Sequence, residues 1–160
     1  MGKIILYKDL KKEIEKIKKN GTRIILVGGC FDIIHSGHLE FFRKAKELGG
    51  QLVVILESDE NVRRYKGAGR PIHTQDDRAR VLSFLPQVDY VVPIPELNSD
   101  LEYFHLVKTI EPDIIAVTSD DPILEKKHEQ AKEVHGTVVE VVNRLKEHST
   151  SKIIDELIGK

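Results

Sequence analysis

Five short, unbroken β-branched runs recur along this chain, at residues 24–27, 52–56, 90–92, 113–117 and 138–142, with amphipathic stretches between them. Runs that do not alternate apolar with polar residues suit strands covered on both faces. Strands of that kind, separated by helices of roughly 10–15 residues, are joined by right-handed crossovers into one parallel sheet. The pattern predicts an α/β fold, a Rossmann-like three-layer sandwich with a five-stranded parallel sheet. Such sheets bind ligands beyond the carboxyl ends of their strands, so chemistry is sought there.

The intervening stretches have helical period. Residues 9–20 predict a Lys/Glu-rich helix with Leu10, Ile14 and Ile17 on one face, stopped by Asn20-Gly21. Residues 39–48 would turn Leu39, Phe42, Ala45 and Leu48 inward; residues 75–85 carry Val81, Leu82 and Leu85, and 101–110 halts before Pro112. A helix over 122–134 is expected to start with Asp121 as N-cap and Pro122 at its first position. Ile153, Ile154, Leu157 and Ile158 form the apolar face expected of a last helix. No repeat, low-complexity tract or Pro/Gly/Ser-rich linker divides the chain, so residues 1–160 read as one domain with the 9–20 helix as an extension.

Composition removes several classes of function. The 25 Lys and Arg residues nearly balance 26 Asp and Glu, leaving a formal charge of −1. That is no field for holding a nucleic-acid backbone, so no nucleic-acid partner is expected. Apolar runs reach about five or six residues, against the roughly 20 that cross a bilayer, and residues 1–6 move straight into charge without a signal-peptide core. A cytoplasmic protein without membrane contact is expected. The single cysteine, Cys30, makes neither an internal disulfide nor a thiolate metal site by itself.

The first predicted strand runs into Gly28-Gly29-Cys30-Phe31-Asp32-Ile33-Ile34-His35-Ser36-Gly37-His38. Free N–H groups and the positive end of the helix that begins here favour an anion. Gly37 lets a phosphate approach the backbone, and His35 and His38, three residues apart, can direct both rings at one cluster of oxygens. The arrangement suits a triphosphate, with imidazole donors bonding oxygens that gain charge during phosphoryl attack. A zinc site would need a third ligand, and none stands at suitable spacing. Neither the dinucleotide fingerprint nor the Walker loop is present. Cys30 lacks a neighbouring base and reads as a packing residue.

The segment Gly29 to His38 resembles the HxGH signature of the nucleotidyltransferase superfamily, and most closely its cytidylyltransferase-like branch, which includes heptose-1-phosphate adenylyltransferase domains and glycerol-3-phosphate cytidylyltransferase. The resemblance extends from about Thr22 to Ile158. It implies catalytic roles for His35 and His38 and nucleotide contacts from Gly29, Cys30, Phe31, Asp32 and Gly37. Glu57-Ser58-Asp59-Glu60-Asn61-Val62, then Lys66-Gly67 and Arg70-Pro71-Ile72, are similar to a segment of the heptose-phosphate relatives. There the lysine binds phosphate oxygens, a role the resemblance gives to Lys66, read here as part of a polar loop. Arg78 falls where relatives keep an arginine at a helix start. Of the pair after the fourth strand, Asp120 is the functional expectation, because capping accounts for Asp121. Ser149-Thr150-Ser151 opens the last helix as the family's second signature, suited to gripping β and γ phosphates. Arg144 aligns with the arginine of the cytidylyltransferase R-T-E-G-I-S-T-T motif, but Leu145, Lys146, Glu147 and His148 depart from it.

The resemblance implies transfer of an NMP group, AMP favoured and CMP possible, from an NTP to a phosphorylated sugar or polyol, with release of pyrophosphate. It implies Mg²⁺ carried mainly by the nucleotide phosphates rather than a protein metal site, and a homodimer. The alternatives are an enzyme of the FAD synthetase or pantetheine-phosphate adenylyltransferase type, and a non-catalytic nucleotide-binding module. An aminoacyl-tRNA synthetase also uses an HxGH-like element, but 160 residues leave no room for tRNA-binding modules.

Overall fold

The computed structural model describes residues 1–142 and 150–159. Its strands are β1 (Lys3–Ile4), β2 (Ile24–Gly29), β3 (Gln51–Leu56), β4 (Tyr90–Pro93), β5 (Ile114–Thr118) and β6 (Thr137–Val142). They form one six-stranded sheet in the order β1-β4-β3-β2-β5-β6, parallel at every pairing. The expected five strands are all present and a sixth, β1, is added at the edge beside β4. Two residues are too short to display a period, so β1 left no sequence signal. It forms because Lys3 N–H and Ile5 N–H find the carbonyls of Asp89 and Val91.

The helices are α1 (Leu10–Lys18), α2 (Ser36–Lys46), α3 (Asp59–Lys66), α4 (Gln75–Ser83), α5 (Asp100–Ile110), α6 (Leu124–Glu133) and α7 (Thr150–Leu157). Two separate cores explain the unbroken strands. Ile24 and Leu26 point to one face, where Leu10, Ile14 and Ile17 of α1, Leu106 and Ile110 of α5 and Ala131 of α6 cover them. Ile25 and Val27 point to the other, under Phe41, Phe42 and Ala45 of α2 and Ala79 and Leu82 of α4. Each such aliphatic or aromatic side chain contributes about 1.5–3 kcal/mol by leaving water.

Four local expectations are corrected. Leu39, expected inward, is exposed, and so is Val81 of the 75–85 stretch. On α2 the inward stripe runs through His38, Phe41, Phe42 and Ala45; on α4 it runs through Arg78, Ala79 and Leu82. In both helices a polar residue, part-buried His38 and buried Arg78, heads the inward stripe. Second, Lys66 ends an α-helix instead of lying in a loop: Ser58 Oγ accepts from Asn61 N–H at 3.1 Å to start α3, and Gly67 at φ 94° stops it. Only Asn61 and Val62 of α3 are buried, so it shows no apolar period. Third, α6 begins at Leu124, and Asp121 and Pro122 precede it rather than capping it. Fourth, α7 leaves Leu157 and Ile158 exposed. No helix among the described residues is long and apolar enough to cross a membrane.

Candidate active site

Strand β2 has β3 on one side and β5 on the other. The chain leaves β2 toward β3 and later returns to the opposite side as β5, which opens a crevice beyond the carboxyl ends of both. A cavity of about 580 Å³ lies there. Gly28 and Gly29 from β2, Thr118 from β5 and Val142 from β6 form its floor, α2 supplies Gly37, His38, Glu40 and Phe41, and Thr150 and Ser151 open α7 on its wall.

Burial at the head of the α2 stripe places the two histidines. His35 is the N-cap residue, extended at φ −138°, and its carbonyl accepts from His38 N–H at 2.9 Å and Leu39 N–H at 3.2 Å. The rings of His35 and His38 stack with centroids 3.8 Å apart and planes 25° from parallel. Burial first, then the charge of His35, pushes the His38 imidazole down to about 3, against a smaller upward pull from the Ile33 backbone. His38 is therefore neutral at pH 7. Its Nδ1 is buried with no hydrogen-bond partner among the described residues.

Phe31 supports this pair from below. It adopts φ 43°, a left-handed turn that is uncommon without glycine, and its ring meets the His38 ring edge-on at 5.3 Å and Phe42 at 5.1 Å. Gly29, two residues earlier, leaves room for this ring, because a Cβ there would stand 2.9 Å from it. Cys30 also faces the cavity; burial pushes its thiol up, partly offset by the charge of Lys66, so it is no ready nucleophile.

Asp32 is buried and fixes the loop after β2. Its Oδ1 accepts from Ile72 N–H at 2.9 Å and His73 N–H at 3.1 Å, and its Oδ2 from Arg70 Nε at 2.7 Å. Burial would raise this carboxyl, but the two backbone donors and Arg70 outweigh it and hold it below its ordinary value. Asp32 and Arg70 both line the cavity, and Lys66 reaches it from the end of α3.

Other expected residues fall differently. Arg78 is sequestered behind the cavity wall: its guanidinium donates to the carbonyls of Cys30, His73 (3.1 Å) and Glu57 (2.9 Å) and pairs with Asp59 at 2.7 Å. It fixes the loops after β2 and β3 to one another, with four of its five N–H donors committed to these partners. Asp120 is exposed and does not line the cavity, whereas Asp121 does; Asp121 accepts from Ile123 N–H at 2.9 Å and pairs with Lys127 at 2.5 Å. Thr150 Oγ1 donates to Ile33 O at 3.0 Å, tying α7 to the histidine loop. Arg144 and Ser149 lie outside the described residues.

Sequence reasoning missed Glu40, Arg70, Asp121 and Lys127 as lining residues. For Arg70 a signal existed, since it stands in the Arg-Pro-Ile segment already singled out. For Asp121 the capping explanation hid the cavity role, and Lys127 gave no signal, one lysine among many on a polar helix.

A family model described as cytidylyltransferase-like matches residues 26–156. The bifunctional protein HldE of Wolinella succinogenes is 38% identical over 160 residues, an alignment covering 97% of this chain and 31% of that protein. The chain thus spans about a third of the length of that curated relative. The lipopolysaccharide core biosynthesis protein of Thermoplasma volcanium superposes with a TM-score of 0.61 at 27% identity, over 77% of this chain and 96% of that one. Pantoate-beta-alanine ligase of Francisella tularensis gives a TM-score of 0.65 at 12% identity, over 100% of this chain and 80% of that one, a likeness of fold.

Proposed function

The chain belongs to the cytidylyltransferase-like family, and from that premise we propose that it transfers an NMP group, AMP in preference to CMP, from an NTP to a phosphorylated sugar or polyol, releasing pyrophosphate. The observation that carries this reading is the stacked His35–His38 pair at the start of α2, inside a cavity whose opposite wall is the start of α7. Two helix starts and two imidazoles facing one space form a cradle for a chain of phosphates.

In the reaction a phosphate oxygen of the acceptor forms a bond to the α-phosphorus in line. The bond from that phosphorus to its bridging oxygen breaks, and the electron pair leaves with pyrophosphate. No covalent protein intermediate is needed, so catalysis is positioning plus charge stabilisation. The neutral His38 ring can donate one N–H to an oxygen that gains charge, a donor fixed in place before the reaction begins. Lys66 contributes a mobile positive charge at the cavity rim. Magnesium on the β and γ phosphates would screen their charge. The lining aspartates are already committed, Asp32 to Arg70 and Asp121 to Lys127, and among the described residues no three His, Cys, Asp or Glu groups gather as a metal site. The chain's own residues would act on the phosphates as hydrogen-bond and charge donors.

Similarity to a lipopolysaccharide core biosynthesis protein supports a sugar phosphate as acceptor. The Ser58-Asp59, Lys66-Gly67 and Arg70-Pro71-Ile72 resemblance to heptose-phosphate relatives supports ATP. The family's description, cytidylyltransferase-like, favours CTP as the second reading. A screen of the four NTPs against phosphorylated sugars and polyols, reading pyrophosphate, tests the proposal. ATP with a sugar phosphate is expected to give the fastest release, and no release with any pair would contradict it.

A further inference from the structure

Beside the nucleotide cavity, at the carboxyl end of β3, a second polar cluster takes no part in the scheme above. Glu57 directly follows β3, Asn61 and Tyr65 stand one turn apart on α3, and Tyr103 reaches in from α5. Glu57 Oε2 accepts from Tyr103 Oη at 2.8 Å and from Asn61 Nδ2 at 3.0 Å. Asn61 Nδ2 is also 3.0 Å from Tyr103 Oη, and the hydroxyls of Tyr103 and Tyr65 are 3.0 Å apart.

Two features go beyond what tying α3 to α5 requires. Asn61 is fully buried, yet its Oδ1 has no hydrogen-bond partner among the described residues. Such an orphaned acceptor costs stability, and it calls for an explanation such as a role or a missing partner. The cluster is also open on one side: Tyr65 is 51% exposed, and the hydrogen bonds that the Glu57 carboxylate accepts from Asn61 and Tyr103 both fall on Oε2, with none to Oε1 among the described residues. Burial, then Tyr65 and Glu57, push the Tyr103 phenol far above its ordinary range, so it keeps its proton and orients the carboxylate.

The four side chains do not line the cavity themselves, but the main chain joins the cluster to its edge. Tyr65 is the neighbour of Lys66 in α3, and Glu57 N–H donates to the carbonyl of Gly29, a floor residue, at 3.1 Å. The Cys30 thiol in the cavity feels the charges of both Lys66 and Glu57.

We propose that Glu57, oriented by Asn61 and Tyr103, is the specificity-determining residue of the acceptor subsite, accepting hydroxyl hydrogens of a polyhydroxylated phosphate whose phosphate Lys66 holds. This inference rests on the nucleotidyltransferase reading. A carboxylate with one oxygen pre-bonded and the other without a partner among the described residues matches ligand O–H donors, and a site built to hydrogen-bond hydroxyls strongly rejects analogues that lack them. The exposed Tyr65 ring offers an apolar face for the carbon skeleton between those hydroxyls.

The test is calorimetric titration of the full chain in the presence of α,β-methylene-ATP. Glucose 1-phosphate, mannose 1-phosphate, ribitol 5-phosphate and glycerol 3-phosphate are compared with inorganic phosphate, on wild type, Glu57→Gln and Tyr103→Phe. Wild type is expected to bind at least one polyhydroxylated phosphate about tenfold or more tighter than inorganic phosphate. Glu57→Gln should shrink that preference to about twofold or less, Tyr103→Phe should reduce it several-fold, and both should keep their affinity for the ATP analogue. The inference is overturned if wild type shows no preference over inorganic phosphate, or if both variants keep it and only melt earlier, as a purely structural cluster would. Should Glu57→Gln fail to fold, Tyr103→Phe alone decides. Failure of the analogue to bind wild type overturns the nucleotide reading itself, which separates the two claims.

Discussion

At the scale of single residues, His38 bears the most consequence. Removing one pre-placed donor to a charge-gaining oxygen costs about 2.7–4 kcal/mol of barrier, or about 10²–10³ in rate. His38→Ala is therefore expected to lower kcat for pyrophosphate release by about 100-fold or more, with circular dichroism unchanged. The same burial makes His38 a source of acid lability. Its folded value of about 3 lies below the ordinary 6.5, so between those pH values the unfolded chain binds a proton that the native protein refuses. Stability from this group is thus full above about pH 6.5 and falls progressively toward pH 3, by about 1–2 kcal/mol at pH 5. Urea midpoints measured at pH 7 and pH 5 should show that loss in wild type and a smaller one in His38→Ala. The two histidines were legible in the sequence because a glycine between them, a strand before and a helix after all agreed. The low titration of His38 was not, since it depends on Phe31 and His35 closing around the ring.

At the scale of elements, the site is held by loops that brace one another. Asp32 fixes residues 70–73 to the loop after β2, and Arg78 fixes that loop to the one after β3. Asp32→Ala leaves the buried Arg70 charge and two backbone N–H groups without partners, which is expected to cost about 3–5 kcal/mol. Thermal unfolding would register this as a fall of many degrees, and an unchanged melting temperature would contradict the bracing role. Here the sequence was least informative. The resemblance gave Asp32 and Arg78 as nucleotide contacts; the fold also makes them braces between loops, a role set by partners distant in sequence, while Asp32 lines the cavity as well. Helix α3 was overlooked for a related reason: eight residues with two buried side chains have no apolar period to detect.

At the scale of the whole molecule, the parallel sheet and its two helical layers were legible because both faces of β2, β3 and β5 are covered, which imposes unbroken β-branched runs. The edge strand β1 was not, because this two-residue strand is set by carbonyls of Asp89 and Val91, at and just before β4. That sheet order places the crevice beyond the carboxyl ends of β2 and β5, where the phosphates are expected to lodge. The most direct measurement is a crystal structure with α,β-methylene-ATP bound. The triphosphate is expected between the His35–His38 pair and the start of α7, with Lys66 drawn toward it. A nucleotide whose phosphates sit elsewhere, with both imidazoles turned to bulk water, would contradict the account.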